Sequence, residues 1–296
     1  MRSISEELYG SKINRMMKKK TGLYFILLIL LSGLLNEAVA QPFLLQSKGQ
    51  AKPFSLNIYY GSGGKGAFVQ YSGHKGIIPL TIKSCVTDTS DGNRFTSYIW
   101  NEVLEGKITG TYGLTEGLRT IEDAWYVRGR DQKKFILEHI EAPGKYDGVD
   151  QYLLHGTRIA FNHFYSDTLI FRYPDKSVHI IELPEIVQSG GARQSHIGDY
   201  NFDGYDDVAF SVSDAGMGVY QEFQIYVYDP VQKQFYRMKE PDYTKKSHCA
   251  CLCDVRLDAR KKELSTACRG GARWWRDVWK YKGRKLIYVR SEEVND

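Results

Sequence analysis

Antiparallel β-sheet throughout, in an N-terminal β module followed by a C-terminal β domain with one oxygen-rich loop, is the all-β fold the sequence predicts. Three observations predict it. From Phe54 onward apolar residues recur every two positions far more often than every three or four, the period of a strand. The 21 Tyr and 13 Phe supply aromatic side chains suited to a half-buried pleated surface. Gly-rich turns such as Gly61-Ser62-Gly63-Gly64 separate the alternating runs.

The chain opens differently. Lys18, Lys19 and Lys20 precede an apolar run from Leu23 to Leu35, and Ala38-Val39-Ala40 precedes Gln41. That order of charged, apolar and small residues is the pattern of a cleavable signal peptide over residues 1–40. As a helix the run rises roughly 20 Å, short of a bilayer core of about 30 Å, so the expectation is cleavage after Ala40 and no membrane span afterwards. Met16 and Met17 are alternative starts. The expected location is periplasmic or secreted.

Removing residues 1–40 leaves 34 basic against 32 acidic side chains, a net charge of +2. Without a Lys/Arg block in the remainder, nothing argues for nucleic acid.

Over residues 41–150 the strand pattern fits Phe54–Tyr60, Phe68–Tyr71, Ile78–Val86, Phe95–Trp100, Val103–Tyr112 and Phe135–His139. It lapses at Ala142-Pro143-Gly144-Lys145-Tyr146-Asp147-Gly148, a turn-forming stretch with little to bury, which places a domain boundary near residue 150. Over residues 151–296 it resumes at Arg158–Tyr165, Thr168–Tyr173, Val178–Leu183, Val208–Val212, Phe223–Tyr228, Val255–Leu257 and Trp274–Trp279. A closing hairpin turns at Lys282-Gly283-Arg284 into Leu286–Val289.

The oxygen-rich loop is Asp199-Tyr200-Asn201-Phe202-Asp203-Gly204-Tyr205-Asp206-Asp207. Side-chain oxygens at positions 1, 3 and 5 can converge on one hard cation, Gly204 can take a left-handed turn, and Tyr205 can offer its backbone carbonyl at position 7. Asp207 would close the cage directly or through water, and Asp206 would point away. The twelfth position is Phe210 rather than Glu, and Val208–Val212 reads as a strand, so the site is a β-associated Ca²⁺ loop and not an EF-hand. The competing reading is an Asx-rich β-turn without metal.

Gly198–Tyr236, with this loop, a Gly-rich insert and Tyr226-Val227-Tyr228-Asp229-Pro230, resembles a family of bacterial periplasmic calcium-binding proteins known for inhibiting lysozymes. The likeness runs on through Val255-Arg256-Leu257-Asp258, Lys262-Glu263-Leu264 and Trp279–Leu286, roughly the last hundred residues. It implies a compact or propeller-like β fold, a calcium ion that pins the loop, and a surface loop that plugs a muramidase cleft. The stretch Trp100–Tyr112 resembles β modules of exported bacterial proteins and adds no activity.

Other residues are weighed for chemistry in turn. Ser213–Tyr220 links two strands, and Gly216, Gly218 and Tyr220 are the candidate partner-binding residues, the alternative being an ordinary connection with Tyr220 packed on the sheet. Cysteines 85, 249, 251, 253 and 268 all follow the signal segment, where oxidation favours disulfides over a soft-metal site. Thiols two apart on one strand are too far apart to bridge easily, so partners should come from Cys268 or Cys85, with at least one of the five cysteines unpaired. A hairpin pairing Leu257 with Leu264 would set Cys253 opposite Cys268, making that the first-choice disulfide. Trp274, Trp275 and Trp279 suggest a carbohydrate platform, although adjacent strand residues face opposite sides and one face is most simply core.

No nucleophile elbow, zinc-protease helix or phosphate loop is present, which favours binding over catalysis. The reading is an exported, calcium-binding, non-enzymatic β protein that binds and inhibits a peptidoglycan-cleaving enzyme of lysozyme type, or acts as an immunity-like partner of one. The rival classes are a glycan-binding or cell-surface adhesion module and a glycoside hydrolase.

Overall fold

The computed structural model describes residues 42–294 apart from 91, 118–119, 142–146, 188–189, 215–219, 243, 250 and 271–272, and it is all-β, built from antiparallel sheets. The expected signal segment, residues 1–40, lies outside the described residues.

Eight strands form a closed up-and-down barrel: β1 (Phe43–Ser47), β2 (Ser55–Tyr59), β3 (Phe68–Tyr71), β4 (Ile78–Asp88), β5 (Phe95–Leu104), β6 (Lys107–Gly117), β7 (Thr120–Arg128) and β8 (Lys134–His139). Closure comes from β1 against β8, with Leu45 opposite His139. Inward positions alternate as the period-2 pattern requires, and Phe43, Leu45, Ile58, Val69, Trp100, Tyr112, Leu114 and Leu137 fill the interior. Closure needs curvature. The register shifts by one residue at Ile82/Ser84, Glu102/Val103 and Gly113/Thr115, the effect of bulges on a twisted sheet.

The run Val103–Tyr112, read as one strand from the sequence, is two. Glu105 and Gly106, at φ 50° and 74°, make the two-residue turn between β5 and β6, and both positive φ values suit the right-handed twist of the flanking strands. Strands β1 and β7 carry no clear alternation that marks them in advance. Their places are fixed by partners: β1 by β2 and β8, β7 by β6 and β8.

Three four-stranded meanders follow: β9 (Val149–Leu154) to β12 through β10 (Thr157–Asn162) and β11 (Thr168–Arg172), with β12 at Val178–Glu182; then β13 (Gln194–Gly198), β14 (Asp207–Ser213), β15 (Gln221–Asp229) and β16 (Gln234–Arg237); then β17 (Arg256–Asp258), β18 (Glu263–Gly270), β19 (Arg273–Lys282) and β20 (Lys285–Val294). The architecture changes from barrel to open sheets between His139 and Val149.

The middle sheet is buried on both faces. Val208 and Phe210 of β14 pack with Phe161 and Phe171 of the first sheet, whereas Ala209 packs with Leu264 and Trp279 of the third. That is why Val208–Val212 is apolar at nearly every position. The barrel abuts the sheets through its β2–β3 turn: Leu153 donates its N–H to the Gly66 carbonyl, Ile197 donates to Ser62 Oγ, and the Arg158 guanidinium lies 5.3 Å from the Phe68 ring centre. Among the described residues no helix is long and apolar enough to cross a membrane.

Candidate metal centre

The loop between β13 and β14 is folded by its own oxygens. Phe202 at φ 62° and Gly204 at φ 94° take the two left-handed positions that reverse the chain. Asp199 accepts the Asp203 N–H on Oδ1 (3.0 Å) and the Gly204 N–H on Oδ2 (2.8 Å). Asn201 Oδ1 also accepts the Asp203 N–H (3.0 Å), and its Nδ2 donates to Asp203 Oδ2 (2.8 Å). Asp203 Oδ1 accepts the Tyr205 N–H (2.9 Å). The side-chain oxygens of 199, 201 and 203 are thereby gathered inside one turn, in the way Asx motifs hold a chain against its own backbone.

Asp207, the first residue of β14, has a second task. Its side chain is fully buried, with Oδ2 accepting the Tyr200 N–H (2.8 Å) and Oδ1 the Tyr228 N–H (2.9 Å). Its pKa is raised to about 7: burial pushes it up most, the Tyr228 and Tyr200 amides oppose that, and the charges of Asp203 and Asp199 add to it. The charges of the loop carboxylates thus reach the buried Asp207 side chain.

Asp206 points away from the cage, as its position suggests. Its carboxylate pairs with the Lys65 ammonium of the barrel, and its backbone carbonyl lies 2.6 Å from His155 Nε2. The His155 ring stacks on Tyr228 at 4.0 Å. The Tyr205 side chain is partly exposed and lies against His155 and Tyr228, with ring centres 5.7 and 5.8 Å away.

Two carboxylates and one side-chain amide oxygen lie on one turn, oxygen donors of the kind a hard cation takes, and the Tyr205 carbonyl and Asp207 are the further candidate donors. Among the described residues no three His, Cys, Asp or Glu side chains converge as a metal-ligand set. A cavity of about 350 Å³ borders the loop, lined by Asp199, Phe202, Asp203, Leu257 and Lys262.

The sequence does not mark Lys65 or His155 as supports of this loop. They lie 141 and 51 residues from Asp206, and no local pattern marks either.

Of the candidate partner residues, Gly216 and Gly218 lie outside the described residues. Tyr220 is half-buried, donates its N–H to Asp214 Oδ1 (3.0 Å) and accepts the Asp214 N–H on its carbonyl, closing the base of the connection.

The cysteine pairing departs from the sequence expectation. Cys249 bonds Cys268 and Cys251 bonds Cys253, in place of Cys253 to Cys268. The Leu257–Leu264 register is as expected, but β17 begins only at Arg256. Cys253 has left the strand and bridges to Glu222 of β15. Off a strand, residues 251 and 253 need not be spaced as strand neighbours, and their Cα atoms are 5.3 Å apart. The tryptophans do not form one platform either: Trp279 is core, donating from Nε1 to Thr266 Oγ1, while Trp275 stacks on His248 at 3.7 Å.

The chain matches no protein-family model and no curated protein. Among solved structures it is similar to a Bacteroides fragilis protein provisionally named 6-phosphogluconolactonase, at 12% identity and a TM-score of 0.30, over 86% of this chain and 99% of that one. At that score the likeness carries no argument about fold or activity.

Proposed function

We propose that this is an exported calcium-binding protein whose C-terminal β domain binds and inhibits a peptidoglycan-cleaving enzyme. Asp199, Asn201, Asp203 and the Tyr205 carbonyl supply the cage, and Asp207 closes it directly or through water. The observation that supports the metal is the gathering of these oxygens on one turn that is anchored on both sides, by Asp207 in the core and by Asp206 on Lys65 and His155. The resemblance of the last hundred residues to periplasmic lysozyme inhibitors supplies the target class. Calcium would supply no chemistry of its own here beyond fixing the loop, and with it the start of β14 and the connection to Tyr220.

The test is inhibition of a lysozyme by the purified protein, with calcium and after EDTA. Nanomolar, calcium-dependent inhibition is expected, and Tyr220→Ala should weaken it at least tenfold, about 1.4 kcal/mol. Oligosaccharide binding without inhibition would instead make the chain a glycan-binding or adhesion module, and turnover of a glycan would make it a hydrolase.

A further inference from the structure

Four cysteines fall within twenty residues, and the two disulfides they form are not equivalent. Cys249–Cys268 joins positions 19 apart and staples the coil before β17 to β18. Cys251–Cys253 joins positions two apart. Loop closure over so few residues constrains the unfolded chain far less than closure over nineteen, so the short bridge contributes less to the fold.

Access separates them as well. Cys249, Cys253 and Cys268 are 1%, 0% and 9% exposed, while Cys251 is only partly buried. Cys249 is also held from below: its N–H and that of His248 both donate to Asp277 Oδ2 at 2.7 Å, on a carboxylate that is itself fully buried. Cys253 is held by its backbone, its carbonyl accepting the Ala267 N–H (2.9 Å) beside Cys268. Only the Cys251 end of the short bridge can meet a solute without unpacking its surroundings.

We infer that Cys251–Cys253 is a thiol-exchange site for small monothiols of the glutathione type, entered at Cys251, and that Cys249–Cys268 is structural. In the exchange, a ligand thiolate attacks Cys251 Sγ, the Cys251–Cys253 bond breaks, and Cys253 departs as a thiolate that takes a proton from solvent. Cys251 then carries the ligand as a mixed disulfide. A second ligand thiolate attacks the ligand sulfur, frees Cys251, and leaves the ligand as its own disulfide. Two ligand thiols are oxidised and one protein disulfide is reduced to two thiols. The reverse sequence reloads the bridge.

The experiment uses the full exported chain with Cys85→Ser, which removes the exposed free thiol. The protein is equilibrated at graded ratios of reduced to oxidised glutathione, quenched by alkylation and mapped by peptide mass. Alkylation of Cys251 and Cys253 is expected at reduced-glutathione concentrations at least tenfold below those that open Cys249–Cys268, with near-UV circular dichroism unchanged and the mixed disulfide on Cys251. Opening of both bridges together, opening of Cys249–Cys268 first, or an adduct confined to Cys253 would overturn the assignment. Cys253→Ser gives a second reading: with no partner thiol to expel the ligand, the folded variant should accumulate a stable glutathione adduct on Cys251 in oxidised glutathione. A folded variant without that adduct removes Cys251 as the entry point. If Cys253→Ser does not fold, Cys251→Ser serves in its place, and its buried Cys253 should stay unmodified; modification there would equally overturn the inference.

Discussion

The Lys65 ammonium, in the turn between two barrel strands, pairs with the Asp206 carboxylate at the eighth position of the oxygen-rich loop. The two side chains keep 37% and 33% of their exposure, so solvent screens the pair and its coupling should be about 0.5–1 kcal/mol. A double-mutant cycle with Lys65→Met and Asp206→Asn in urea unfolding measures it. His155→Ala should cost more, about 1–2 kcal/mol, because it removes both the contact with the Asp206 carbonyl and the stack on Tyr228. A larger loss from Lys65→Met than from His155→Ala would mean that the ion pair and not the ring holds the loop.

Loop and core carboxylates should separate cleanly. Asp199→Ala and Asp203→Ala should abolish the rise in melting temperature produced by millimolar calcium, since a ligand that binds only the folded state stabilises it by mass action. Asp207→Asn should cost about 2–3 kcal/mol even in EDTA: the amide keeps one acceptor for two buried backbone N–H groups and turns a donor toward the other. Calorimetry on EDTA-treated protein decides both, and a wild-type chain with neither calcium heat nor a melting shift would be a bare Asx turn.

Trp100 connects this loop's support to the barrel core. Its Nε1 donates to the Gly64 carbonyl at 2.7 Å inside the barrel, fixing the turn that carries Lys65. Trp100→Phe keeps most of the packing but leaves a buried carbonyl unpaired, a loss of about 1–3 kcal/mol in urea unfolding. It should also lower the Lys65–Asp206 coupling. Unchanged coupling in the Trp100→Phe background would show that the turn is fixed by other contacts.

How much of this could be read from the residues follows from the range of each interaction. The β14 run is legible because a strand covered on both faces must be apolar throughout, and the closing hairpin because Gly283 and Arg284, at φ 57° and 62°, form a local turn between Lys282 and Lys285. The loop at 199–207 is legible because its hydrogen bonds span five residues or fewer within the cage. Closure of β1 on β8, the Lys65 and His155 supports, and the cysteine pairing are not local. Cys253 shows the limit: the register that would have placed it opposite Cys268 is present at Leu257–Leu264, but the strand ends before reaching it.

His163 should make stability depend on pH. Its Nδ1 lies 2.7 Å from the Arg193 carbonyl and its Nε2 lies 2.8 Å from Asp150 Oδ2. Both neighbours only accept when Asp150 is ionised, so the arrangement is satisfied when the ring carries both protons. Burial alone would lower its pKa, but the hydrogen bond and charge of Asp150, with the Arg193 carbonyl, outweigh burial and the opposing Arg193 charge, and the net shift is upward. A folded-state value above the ordinary histidine value of 6.5 means that the folded chain holds this proton more tightly than the unfolded one. The stabilisation is therefore complete below about pH 6.5 and is lost as pH rises through the folded-state value. Urea unfolding of the wild type should show stability from this source falling above that pH, and His163→Gln, which cannot take up the proton, should lose that part of the slope. A His163→Gln variant with the wild-type pH dependence would place the titrating group elsewhere.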